Sequence, residues 1–100
     1  MIQNFQAYEL ALALHRRTRA IQMKASLKDQ LERATESIIL NLAEGSGKPT
    51  QKEKRRFYAI AFGSTREVQA IFDITQPTDK EARVLLERVA GCLYKLVYKH

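Results

Sequence analysis

The segment EGSGKPT, residues 44–50, contains the residue types that bind phosphate in a nucleotide-binding loop. Such a loop has the spacing G-x-x-x-x-G-K-[ST], in which backbone amides surround the phosphates and the last hydroxyl binds Mg²⁺. Here Leu42 occupies the position of the first glycine, and Pro49 follows Lys48 where a hydroxyl residue is needed. The preceding residues also repeat their apolar side chains at helical spacing rather than strand spacing. The sequence therefore predicts a helix junction here, not a nucleotide site.

Other residues that could do chemistry are isolated from one another. A di-iron bundle needs Glu-x-x-His pairs, and neither His15 nor His100 has this spacing. Cys92 is the sole cysteine and has no histidine within a few residues. A nucleophile with its base is therefore not indicated, and Cys92 is predicted to be a small core residue. We expect no enzyme, no metal and no cofactor.

Composition limits the class of protein. One hundred residues suit one domain, so residues 1–100 are predicted to form a single four-helix bundle domain. Seventeen Lys and Arg against eleven Asp and Glu give a net charge of +6, which favours association with polyanions. No apolar run approaches the roughly 20 residues of a membrane span, and the N-terminal segment lacks the pattern of a signal peptide. We expect a cytoplasmic protein.

Apolar periodicity and capping residues predict four helices. Thr50 with Glu53, and Thr78 with Glu81, each match a capping box that follows a proline. Short connections make neighbouring helices antiparallel, which predicts an all-α, up-down-up-down four-helix bundle. The predicted helices span residues 4–23, 27–44, 51–75 and 79–98.

The ends of the second helix are predicted from weaker signals. Ser26 with Asp29 resembles a capping box at its start. Gly45 and Gly47 are expected to end the helix before Pro49. The segment between the second and third helices is therefore predicted to be a hinge.

Charged and small residues lie where the second and third helices are expected to meet. Folding the third helix back across the hinge places Ser64 near the level of Arg33, with Glu67 one turn further. We expect an ion pair between Arg33 and Glu67, with Gly63 and Ser64 allowing close approach of the helices. The pair would set the register of the helices rather than add net stability, since desolvation can cancel the attraction.

The first helix has more apolar surface than one buried stripe requires. Phe5, Tyr8, Leu10 and Leu12 extend that surface well around the helix. A wide core face and a subunit interface both explain the pattern. We favour an oligomer interface formed by these four residues.

Positive charge is concentrated in the hinge and at the start of the third helix. Cations at a helix N-terminus oppose the helix dipole, so folding does not favour them there. The expected topology brings the end of the fourth helix to the same end of the bundle, where Tyr94 and Tyr98 can stack on bases or simply pack. A solvated basic surface without a partner also explains such a run. The predicted nucleic-acid-binding residues are Lys48, Lys52, Lys54, Arg55, Arg56, Lys95 and Lys99.

The pattern Q-x-x-R-A-x-x-S-I-x-x-N-L-A-E-G at residues 30–45, followed by Phe57, AFGS at 61–64 and Glu67, resembles a known family. It is the four helix bundle protein family encoded in intervening sequences of bacterial 23S ribosomal RNA genes. The resemblance implies an antiparallel bundle and a ring-shaped homopentamer. Related proteins are accessory factors of reverse transcriptases in diversity-generating retroelements, where a basic pentamer contacts RNA and the polymerase. The predicted structural motif comprises Arg33, Ser37, Asn41, Glu44, Gly45, Gly63, Ser64 and Glu67.

Two functions are predicted from these features. The first is binding of RNA or DNA, with RNA favoured, without sequence specificity and with avidity from repetition of the basic surface in an oligomer. The alternative is a protein-interaction scaffold or accessory factor that docks an acidic partner such as a reverse transcriptase. Salt dependence distinguishes them, because phosphate binding weakens steeply as salt rises.

Overall fold

Four α-helices follow one another in the computed structural model, which describes residues 5–99. α1 packs against α2 and α4, and α3 packs against the same two helices. The part of the chain that the structure describes contains no β-strand, which confirms the predicted all-α class. The helices are α1 (Gln6–Thr18), α2 (Ala25–Ser46), α3 (Gln51–Thr75) and α4 (Lys80–Tyr98).

One apolar core lies between the four helices. Each helix contributes at least one large side chain that is fully or almost fully buried, such as Leu14 of α1, Ile38 of α2, Phe72 of α3 and Leu93 of α4. These side chains recur at three- and four-residue intervals with other buried residues of the same helix, which is the spacing of one helix face. No helix within residues 5–99 combines the length and apolar character needed to cross a lipid bilayer.

The bounds of α3 agree with the sequence prediction. Thr50 Oγ1 accepts a hydrogen bond of 3.2 Å from the Glu53 amide and donates one of 3.0 Å to the Glu53 carboxylate. At the other end Gln76 has a left-handed backbone with φ of 48°, and Pro77 follows without an amide hydrogen to continue the helix. Each end of α3 is therefore determined by residues that are close to it in the sequence.

Two predicted caps are wrong. The Asp79 carboxylate, not Thr78, caps α4, and it accepts a hydrogen bond of 3.1 Å from the Ala82 amide. Aspartate is at least as good an N-cap as threonine, so the cap lies one residue later than predicted. α2 begins before Ser26, and its N-cap residue Lys24 makes no side-chain cap.

α1 ends at Thr18, well before the predicted residue 23. The Lys28 ammonium donates hydrogen bonds to the carbonyl oxygens of Thr18 at 3.0 Å, Arg19 at 2.9 Å and Ile21. These bonds satisfy carbonyls that a helix end leaves without partners, so a side chain from α2 stabilises the early end. The predicted start at residue 4 lies outside the described residues.

Candidate nucleic-acid interface

The connection between α2 and α3 is tight because Gly45 has no side chain. A Cβ atom at Gly45 would lie 2.7 Å from Tyr58 Cε1 and 3.1 Å from Phe57 Cβ. Gly45 lies inside α2, so the prediction that it ends the helix is wrong, whereas Gly47 is the C-cap. Gly63 was predicted to allow close approach, but no atom of another helix within residues 5–99 lies within 4 Å of the position its Cβ would occupy. Gly45 has that role instead.

A small polar contact joins α2 and α3 further from the connection. The hydroxyls of Ser37 and Ser64 lie 2.8 Å apart. Asn41 Nδ2 donates to the Ser37 carbonyl oxygen at 2.8 Å and to its hydroxyl at 3.2 Å. Ser64 therefore lies level with Ser37 rather than with Arg33, one turn away from the predicted position.

The predicted Arg33–Glu67 ion pair is wrong. Both side chains are exposed, and the ion pairs formed within residues 5–99 do not include them. The one-turn difference in register separates the two residues, and an exposed pair would contribute little stability in any case.

Two of the predicted phosphate-binding lysines have partners within the hinge. Lys48 Nζ lies 3.1 Å from the Glu44 carboxylate and 5.1 Å from the centre of the Phe57 ring. Lys54 Nζ donates a hydrogen bond of 2.9 Å to the carbonyl oxygen of Ser46, the last residue of α2. Cations are favourable at a helix C-terminus. Stabilisation of the C-terminal end of α2 therefore accounts for the positive charge at Lys48 and Lys54. Lys54 also lies in the first turn of α3, where its charge opposes the dipole of that helix.

The other three predicted cations, in the first two turns of α3, have no such role. Lys52 and Arg56 are exposed, and Arg55 is half-buried. Within residues 5–99 these three side chains make no ion pair, and the side-chain hydrogen bonds involve other residues. Their positive charge is therefore not compensated by an acid of the described residues.

The C-terminal end of α4 lies beside the hinge. Tyr58, which packs on Gly45, also contacts Phe5 with the ring centres 5.9 Å apart. Phe5 in turn lines a groove between α1 and α4 together with Lys95 and Lys99. These contacts place the two exposed lysines near the basic start of α3. We call residues 5–9, 44–56 and 92–99 the hinge end.

The hinge end holds most of the excess positive charge of the chain. It contains seven Lys and Arg residues against three Glu residues, a net +4 of the total +6. The remaining residues contain ten cations and eight acids, a net +2 spread over a larger part of the chain. The charge is therefore polarised along the molecule.

One cation at the opposite end of the molecule, Arg17, is paired with two acids. Arg17 Nε donates a hydrogen bond of 2.7 Å to Asp79, and Arg17 Nη1 lies 3.2 Å from the Glu81 carboxylate. The hydrogen bond from Arg17 lowers the pKa of Asp79 below its ordinary value. Asp79 also caps α4, so one carboxylate connects α1 to the start of α4.

Replacing Asp79 by asparagine is expected to lower the Tm at neutral pH, because the amide can cap α4 but cannot pair with Arg17 as an ion. The folded-state pKa of Asp79 is lowered, so its contribution is present above the ordinary aspartate pKa and is lost as pH falls through the folded-state value. Thermal unfolding of wild type and Asp79→Asn, followed from neutral to acid pH, measures the difference in Tm between them. The difference in Tm should disappear in acid, and a constant difference would contradict the prediction.

The predicted oligomer interface on α1 needs correction. Leu10 is buried by the helices of its own chain, and Phe5 and Tyr8 are half-buried against the same core. The wide core face therefore explains these three residues, and assigning Leu10 to an interface is wrong. Leu12 is half-buried, and its place in an interface stays a prediction.

Comparison with known proteins adds one finding. The family model described as 23S rRNA-intervening sequence protein matches residues 4–87, which is well over half of the chain. The match includes the contact between Ser37 and Ser64, the tight approach at Gly45 and the basic start of α3. No curated protein matches the chain.

Proposed function

The chain belongs to the family of 23S rRNA-intervening sequence proteins, and we propose that it binds nucleic acid, with RNA favoured, through the hinge end. The observation that carries the proposal is the group of cations at the hinge end that pair with no acid within residues 5–99. Contacts with phosphate give affinity but do not read sequence, so the binding is not sequence-specific. The role is binding rather than catalysis. The proposed contact residues are Lys52, Arg55, Arg56, Lys95 and Lys99, with Lys48 and Lys54 adding to the local potential.

We also propose that the helices alternate in direction within a single domain. Gly45 and Tyr58 meet close to the α2–α3 connection, and Ser37 meets Ser64 further from it. This order of contacts supports an up-down arrangement for α2 and α3. The lone Cys92 favours a reducing compartment and supports a cytoplasmic location.

The proposed active form is a homo-oligomer, a pentamer as the family resemblance implies. Leu40 and Ile74 are 67% and 68% exposed, and Val84 is also exposed. Large apolar side chains in water favour contact with another surface. Repetition of the hinge end around a ring would multiply weak phosphate contacts through avidity.

The proposal is tested by fluorescence anisotropy of a labelled mixed-sequence RNA and a duplex DNA across a range of salt concentrations. If five cations each neutralise one phosphate of a single strand, log K should fall with log salt with a slope of about −3.5. RNA of unrelated sequence should bind equally well. An absence of binding at low salt would contradict the proposal and would favour an acidic protein partner instead.

A further inference from the structure

Three aromatic rings form a cluster on the surface where α3 and α4 meet. Tyr94 and Tyr98 of α4 have ring centres 5.0 Å apart. Phe62 of α3 lies 6.3 Å from Tyr94 and 6.2 Å from Tyr98, with its ring edge-on to both. Tyr94 is 47% exposed and Tyr98 is 59% exposed. The two tyrosines of this cluster therefore remain about half accessible to water, and Phe62 is half-buried beside them.

Packing of the chain does not require two exposed tyrosines here. A ring stabilises a fold by the area that it removes from water, and these two rings remain about half accessible. Alanine or leucine would form the helix at least as well as tyrosine at both positions. No side-chain hydrogen bond within residues 5–99 involves either phenol. A ligand that covers the rings would account for them.

Positive charge follows the tyrosines along α4. Lys95 comes directly after Tyr94 and so lies about 100° further around the helix, and Lys99 is the C-cap that follows Tyr98. Both lysines line the groove on the α1 side, whereas both tyrosines contact Phe62 on the α3 side. The last turns of α4 therefore carry a column of rings beside a column of cations.

We propose that Phe62, Tyr94 and Tyr98 form a stacking platform for unpaired bases of single-stranded RNA, whose phosphates contact Lys95 and Lys99. This inference rests on the proposed function and names the form of nucleic acid. Base stacking on aromatic rings tolerates any sequence, which agrees with the proposed binding without sequence specificity. A duplex keeps its bases stacked on one another, so it would contact the cations alone. An acidic peptide would likewise need the cations but not the rings.

The test compares three proteins in anisotropy titrations: wild type, Tyr94→Ala/Tyr98→Ala, and the matched control Tyr94→Phe/Tyr98→Phe. The probes are a mixed-sequence single-stranded RNA, an abasic strand of the same length, and an RNA duplex. The alanine protein should bind the single strand at least about tenfold more weakly, with the same salt slope because its phosphate contacts remain. The phenylalanine protein should bind like wild type, and duplex binding should not change.

The abasic strand gives a result that does not depend on any substitution, because wild type should bind it as weakly as the alanine protein binds RNA. Equal single-strand affinity of wild type and the alanine protein would overturn the platform while leaving the proposed function intact. If wild type binds no probe at low salt, the proposed function itself fails. Sedimentation of wild type and the alanine protein without RNA tests whether the rings join copies of the chain. A smaller assembly of the alanine protein would show that they do and would overturn the inference.

Discussion

A protein carrying Lys52→Glu and Arg56→Glu is expected to bind RNA at least about tenfold more weakly than wild type at low salt. Both side chains are exposed, and neither has an ion-pair partner in the described part of the chain. Their substitution therefore removes phosphate contacts and adds repulsion without removing a contact of the fold. Loss of two contacts to a single strand should also reduce the salt slope by about 1.4. Anisotropy titrations at several salt concentrations measure both quantities.

The matched control is Arg33→Glu/Arg88→Glu, which changes the net charge by the same amount. Arg33 and Arg88 are exposed and lie outside the hinge end. The control should bind RNA nearly as well as wild type, because long-range attraction between exposed charges is screened beyond about 10 Å at 0.1 M salt. Equal losses in the two proteins would show that overall charge, and not the hinge end, determines binding.

Local signals in the sequence predicted the elements that depend on local contacts. The bounds of α3 follow from the hydrogen bonds of Thr50 with Glu53 at one end and from Pro77, which comes directly after the C-cap Gln76, at the other. The error at α4 is of the same local kind, because Thr78 and Asp79 are adjacent and both can cap. The hinge was also predicted from local composition.

Features that depend on distant segments were missed or misplaced. α1 ends early because Lys28 reaches its last carbonyl oxygens from another helix. The Arg33–Glu67 hypothesis failed because the register of two helices cannot be read from either helix alone, and a shift of one turn brings Ser37 to Ser64 instead. The spacing of Tyr94 and Tyr98 was visible in the sequence, but the ring of Phe62 that completes the cluster was not assigned to it.

Substituting Gly45 by alanine is expected to lower the free energy of unfolding by about 1–2 kcal/mol, although alanine is the better helix former. The added Cβ would lie 2.7 Å from Tyr58 Cε1. Tyr58 is buried and is held between Gly45 and the Phe5 ring, so it cannot move away without opening the packing. Thermal unfolding should show a Tm lower by about 5–15 °C.

Matched controls exist in the same chain. Gly63 and Gly91 lie within α3 and α4, and apart from the local helix backbone no atom of residues 5–99 lies within 4 Å of the position that either Cβ would occupy. Gly63→Ala and Gly91→Ala should each raise the free energy of unfolding by about 0.5–1 kcal/mol, through helix propensity alone. The same glycine-to-alanine substitution is thus expected to lower the free energy of unfolding at Gly45 and to raise it at the two control positions.

The pKa of Tyr58 gives an independent measure of the displaced ring. Burial raises that pKa above the ordinary tyrosine value, so a ring forced toward solvent by Gly45→Ala should titrate at lower pH than in wild type. The same displacement would disturb the contact with Phe5 that places Lys95 and Lys99 beside the basic start of α3. We therefore expect Gly45→Ala, measured well below its Tm, to weaken RNA binding while Gly91→Ala does not. The prediction is contradicted if Gly45→Ala is as stable as Gly91→Ala and leaves the pKa of Tyr58 unchanged. The hinge would then accommodate a methyl group, and Gly45 would not determine the approach of α2 and α3.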